Sequence, residues 1–195
     1  LGNVYILRQE DHESPTKDAK EFATLLNACG RLDKASLGIG ACLDDKKIKK
    51  MAISLMTSYK KEIVGSLKWY DANKESALVT KGNGYVIINA QDQIRSTLIG
   101  TLASILSKSN NTKEKFIMSM AQLVDGTTKI SLRMSGGNEG TDLKQIIATI
   151  IKGMPNCEAG GHANAAGALI PTEKEEEFIN SAKQVLEKKA MEEIV

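Results

Sequence analysis

The chain has 195 residues, with 26 Lys and Arg against 24 Asp and Glu, giving a net charge of +2. Hydrophobic residues make up 42% and charged residues 26%, the composition of an ordinary soluble globular protein with one large domain or two small ones. Such an even balance excludes a histone-like, purely electrostatic DNA binder, yet leaves room for a local basic groove.

No apolar run reaches the roughly 20 residues that cross a bilayer. The first residues, LGNVYILRQEDHE, lack the basic-then-apolar order of a signal peptide. The sequence begins at Leu1 rather than Met, which reads as part of a longer protein. Cys29, Cys42 and Cys157 are odd in number and have no CxxC spacing, so reduced thiols in a cytoplasmic protein are expected, not a zinc site.

Ser14-Pro15 predicts the first helix, with Ser14 as cap, Ala19, Phe22, Ala23 and Leu26 on one face and Gly30 as the stop. A small-residue stretch, ASLGIGAC, covers 35–42. A long helix follows over 44–70, with Ile48, Ala52, Leu55, Tyr59, Ile63, Leu67 and Tyr70 as its apolar stripe. Residues 76–80 and 85–90 predict two strands around the KGNG turn. Residues 93–107 return to helical spacing, and 115–123 with 128–135 predict a hairpin turning at Asp125-Gly126. A short helix over 142–152, a brief strand over 168–170 and a final helix opened by a Thr172–Glu175 capping box complete the chain. The fold class is mixed α/β (α+β): a helical connector over 1–74, then a mixed-sheet domain with flanking helices over 75–195.

Two segments carry chemistry. In GGHANAAG, Gly160 and Gly161 allow close backbone approach to a ligand, and a helix-like turn expected near His162 would add N–H donors to an imidazole. In RMSGG, strand alternation puts Ser131, Arg133 and Ser135 on one face, leading into Gly136 and Gly137. Arg133 offers the planar fork that suits phosphate oxygens. Each segment alone is explained as well by a Gly-rich turn or a solvated strand face; two of them separated by one short helix form a stronger signal. Asp11-His12-Glu13 reads as a charged loop. Lys46, Lys47, Lys49, Lys50, Lys60 and Lys61 suit a nucleic-acid backbone, but a solvated helix face accounts for them more simply.

The RMSGG and GGHANAAG pair resembles the DHH-associated domain that ends DHH-family phosphoesterases. Residues 21–31 (EFATLLNACGR) are similar to the stretch after the catalytic domain of archaeal RecJ-like single-strand exonucleases of the GINS-associated type. The resemblance implies an N-terminal domain binding Mn2+ or Mg2+ through Asp and His residues, including a DHH triplet. This sequence contains no DHH triplet and only two His, so that half is expected to lie outside it, and no catalytic or metal-binding residue is assigned here. By the resemblance, Arg133, Ser135, Gly136 and Gly137 would grip phosphate or the strand end, and Gly160, Gly161 and His162 the phosphate nearest the scissile bond. Ala159 departs from the further Gly that many family members carry. The partners so implied are single-stranded DNA or RNA and a replisome component such as GINS, with no membrane. A non-catalytic replication scaffold and a phosphodiesterase of oligoribonucleotides or cyclic dinucleotides are the alternatives.

Overall fold

The computed structural model describes residues 3–109, 115–136 and 140–192. The chain divides into two compact units, Leu1–Gly65 and Ser66–Val195.

The first unit is helical: α1 (Ala19–Arg31), α2 (Ala35–Cys42) and the start of α3 (Lys46–Asn73), within which the division falls. Helix α1 starts later than Ser14-Pro15 predicts. Asp18 is its cap, accepting from the Lys20 amide at 2.7 Å. Ser14 is engaged elsewhere, donating to Glu10 Oε2 at 3.3 Å and accepting from the Thr16 amide at 3.2 Å. Glu10 also accepts from the Thr16 hydroxyl and from Lys49 Nζ at 2.7 Å, and Lys49 reaches Asp44 at 2.5 Å. Lys49, and then Thr16, hold the Glu10 carboxyl below the usual carboxylate range. Gly30 does not stop α1, which runs one residue further.

The stretch over 35–42 is a helix because its glycines admit close neighbours. A Cβ on Gly40 would sit 2.5 Å from Ile48 Cγ2, and one on Gly38 would sit 3.3 Å from Cys29 Cβ. Leu25, Cys29, Ala41 and Ala52 form this unit's core, with Phe22, Leu26 and Leu37 packed on it. Helix α3 is opened by Asp45, whose carboxylate accepts from the Ile48 amide at 2.9 Å.

The second unit is a six-stranded mixed sheet, β1 (Val79–Gly82), β2 (Tyr85–Asn89), β3 (Phe116–Gln122), β4 (Thr127–Met134), β5 (Glu158–His162) and β6 (Ala165–Pro171), in the order β1-β2-β3-β4-β6-β5. Only β2 and β3 are parallel, joined through α4 (Ile99–Ser107). The β1–β2 hairpin turns at Gly84, with φ +80°. Between β3 and β4 the loop is longer than the two-residue turn expected. The Leu123 amide bonds the Thr127 carbonyl, leaving Val124, Asp125 and Gly126 between, with Gly126 at φ +80°.

Alternation sorts the sheet into two faces. Tyr85, Ile87, Phe116, Met118, Met120, Ile130 and Leu132 pack on α5 (Leu143–Ile150) and α6 (Glu175–Glu192) through Leu143, Ile147, Phe178 and Leu186. Val86, Ile88 and Ile117 pack on Ala103 and Leu106 of α4 and on Trp69 and Tyr70 of α3. Asp142 caps α5 as expected, accepting from the Lys144 and Gln145 amides. The capping box does not form. Pro171 precedes a 3-10 turn over Thr172–Lys174, and Glu175 reaches the sheet instead. Its carboxylate accepts from Asn89 Nδ2 (2.9 Å), Gln122 Nε2 (3.1 Å) and Thr128 Oγ1 (2.5 Å).

Candidate functional site

Both glycine-bearing segments lie at one end of the second unit's sheet. Strand β4 pairs antiparallel with β6, and β6 with β5, so the exit of β4 and the turn between β5 and β6 share that end. Ser131 stands opposite Gly167, and Gly167 opposite Gly160; Leu132 stands opposite Ala166, and Ala166 opposite Gly161. One step further along this register Arg133 stands beside Ala165, whose partner on the other side is His162. Lys129, Ser131, Arg133, Gly160, His162 and Gly167 therefore share one sheet face, the face that α4 covers over β3 and β4.

Arg133 is half-buried there, and its side chain is held from three directions. Nε donates to Ser104 Oγ of α4 at 3.1 Å; Nη1 donates to the Leu132 carbonyl at 2.8 Å and, more weakly, to the Ala166 carbonyl at 3.4 Å. A Cβ on Gly100 would lie 3.2 Å from Ser131 Oγ and 3.3 Å from Arg133 Nη2, so a glycine lets α4 settle close on these side chains. Ser131 is buried beneath it. Ser135, just past β4, donates from its amide to the Lys115 carbonyl at 2.8 Å and from its hydroxyl to the same oxygen at 3.3 Å. Gly136 is exposed with φ +78°. Gly137 lies outside the described residues.

The GGHANAAG segment corrects the sequence reading. No helix starts at His162: residues 158–162 are an edge strand and Ala163-Asn164 turns the chain into β6. The backbone donors here belong to an open strand, not a helix terminus. The Ala163 carbonyl accepts from the Leu143 amide at 3.0 Å, which ties this turn to the start of α5.

The glycines differ in what they allow. Around Gly160 an added Cβ would meet nothing within 4 Å, so its face is open. Gly161 has φ +126°, and a Cβ there would lie 2.4 Å from the Ala165 carbonyl oxygen. A Cβ on Gly167 would lie 2.3 Å from the Ile130 carbonyl oxygen. Gly161 and Gly167 thus serve the packing of the strands, and Gly160 is the position that leaves room for a ligand.

All of β5 is exposed, His162 included. A shallow groove of about 480 Å³ crosses this region, lined by Lys129, Glu158, Gly160, Gly167 and Leu169, among others. Burial, followed by the nearby Glu177, pushes up the Cys157 thiol that precedes it. Lys129 was missed in the sequence, although its position two and four residues before Ser131 and Arg133 signals the same face. Gly100 and Ser104 carried no signal of their role. Among the described residues no three His, Cys, Asp or Glu side chains gather as a metal site, and no helix is long and apolar enough to cross a membrane.

Comparison with known proteins gives the same fold. RecJ of Thermus thermophilus, solved with Mn2+, matches with a TM-score of 0.65 at 17% identity, over 89% of this chain and 24% of that one. An exonuclease RecJ bound to manganese matches with a TM-score of 0.58 at 19% identity, over 89% of this chain and 40% of that one. An uncharacterized protein of Methanocaldococcus jannaschii is 25% identical over 174 residues, which are 89% of this chain and 36% of that protein. The chain thus spans between a quarter and two fifths of these relatives. The DHHA1 domain matches residues 82–188, over half of the chain and all of β2 to β6. On that match, the chain belongs to the DHHA1 domain family, and it shares its fold with part of RecJ.

Proposed function

We propose that this chain is the substrate-binding part of a DHH-family phosphodiesterase that degrades single-stranded DNA or RNA, with residues 1–74 as connector and 75–195 as the binding domain. The observation that supports it is the common end and face of the sheet at which Arg133, Gly160 and His162 stand. The open face beside Gly160 admits a phosphate oxygen, and the exposed His162 imidazole donates to it. Arg133, anchored by Ser104 and two carbonyls, adds positive charge at a fixed position. Ser135 and Gly136 follow Arg133 in the chain. The divalent metal seen in the RecJ structures would be held, on this reading, by Asp and His residues of a DHH catalytic domain outside this sequence. The role of this chain is to hold the scissile phosphate in a fixed place.

The test is His162→Ala in the intact enzyme, with this chain alone as the control. Turnover of a single-stranded substrate should fall about 100-fold, the effect of losing one positioned donor. The isolated chain should release no mononucleotides with manganese. An unchanged rate removes His162 from the site, and release of nucleotides by the isolated chain overturns the division of labour.

A further inference from the structure

Helix α3 carries charge out of proportion to its length. Residues 46–65 hold six lysines and one acid, Glu62, a net charge of +5 in a chain whose total is +2. The rest of the molecule is therefore at −3. Lys49 is taken by Glu10 and Asp44, and the other five lysines, at 46, 47, 50, 60 and 61, are all exposed.

Their placement is one-sided. Ala52 and Tyr59, seven residues apart, are buried and mark the helix's inner face. At 100° per residue Lys46, Lys50, Thr57 and Lys61 lie about half a turn from that face, in one line about 22 Å long. Ser54 stands between them, exposed like Thr57. The only acid of the stretch, Glu62, lies well off the line. No aromatic side chain stands on it, because Tyr59 points inward.

We propose that this lysine line binds the phosphate backbone of single-stranded nucleic acid, as a track separate from the sheet-end site. The proposal rests on the function proposed above for the choice of polyanion. A row of ammonium groups drawn out along one side of a helix complements a linear polyanion better than a compact acidic surface. With hydroxyls between and no ring to stack on a base, recognition is electrostatic and indifferent to sequence.

The experiment measures binding of the chain to labelled oligo-dT and oligo-dC by fluorescence anisotropy across a salt series. Lys46→Gln/Lys50→Gln/Lys61→Gln is compared with the equally charged control Lys20→Gln/Lys34→Gln/Lys188→Gln, both checked for folding by circular dichroism. Loss of three phosphate contacts should lower the slope of log affinity against log salt by about 2, and weaken binding about 100-fold at 0.1 M salt. The control should move neither by more than a few-fold, and the two oligonucleotides should bind alike. An unchanged slope in the α3 variant overturns the track and leaves the sheet-end site standing, since that site is read by the His162→Ala turnover. No binding by the unaltered chain also overturns the track. Binding to phosphatidylserine vesicles but not to oligonucleotides assigns the line to a membrane surface and overturns it as well.

Discussion

Gly160 and Gly161 are neighbours of identical chemistry, and substituting each by Ala separates folding from binding. At Gly161 the new side chain meets two costs. The φ of +126° is a conformation that a residue with a Cβ rarely takes, at about 1–3 kcal/mol. The added carbon would also lie 2.4 Å from the Ala165 carbonyl oxygen and 2.6 Å from Ala166 Cα, both backbone atoms that cannot swing aside. A total of about 3 kcal/mol follows, or roughly 6–12 °C in Tm for a chain of this size. At Gly160 neither cost applies, because nothing stands within 4 Å. Fewer conformations of the unfolded chain make that change neutral to stabilising, by at most about 1 kcal/mol. Calorimetric melting of the two variants beside the parent chain is the assay. Equal melting temperatures for Gly160→Ala and Gly161→Ala would refute the reading of β5 as a hairpin strand whose second glycine is held by its partner. On the proposed function, Gly160→Ala should also weaken binding of single-stranded nucleic acid while its melting is preserved.

The Glu10–Lys49 pair makes stability depend on acidity. The carboxyl titrates below its unfolded value, so its contribution is present above that value and is lost as pH falls through the folded one. Glu10→Gln should flatten the acid limb of a urea-denaturation series between about pH 5 and 3, and an unaltered limb would remove the pair from the acid response. Lys49→Met, which leaves a carboxylate 10% exposed without its cation, should cost about 1–2 kcal/mol near neutral pH by the same assay. Glu175→Ala strips a shared acceptor from Asn89, Gln122 and Thr128, and a loss of about 2 kcal/mol is expected in urea unfolding. A loss below about 0.5 kcal/mol would show that water replaces the carboxylate there.

Elements with a dense apolar period were legible in the sequence. Strands β2, β3 and β4 and helices α3, α5 and α6 fall within a few residues of their expected bounds, because each buries a continuous face. What failed was polar. Ser14 and Thr172 both look like caps, but the hydroxyl of Ser14 is drawn to Glu10, and Glu175, the far end of the supposed box, is drawn to three sheet residues. Such choices depend on partners distant in the chain, which spacing does not reveal. Strand β5 went unread because no residue in it is buried, so it leaves no alternation. The candidate site was half legible. Its glycines and Arg133 announced themselves, but whether a glycine makes room for a ligand or for its own fold was decided by what stands across from it, and that information lies in the register.

Open sheet borders invite pairing with other chains, and among the described residues this sheet has one at each side. Both are poor templates for that. Strand β1 has four residues and carries Lys81 and Gly82; β5 has five, with two glycines and no large aliphatic side chain. A foreign strand laid against either would gain few hydrogen bonds and almost no apolar contact. The backbone beside Gly160 can thus stay bare to solvent without seeding aggregates.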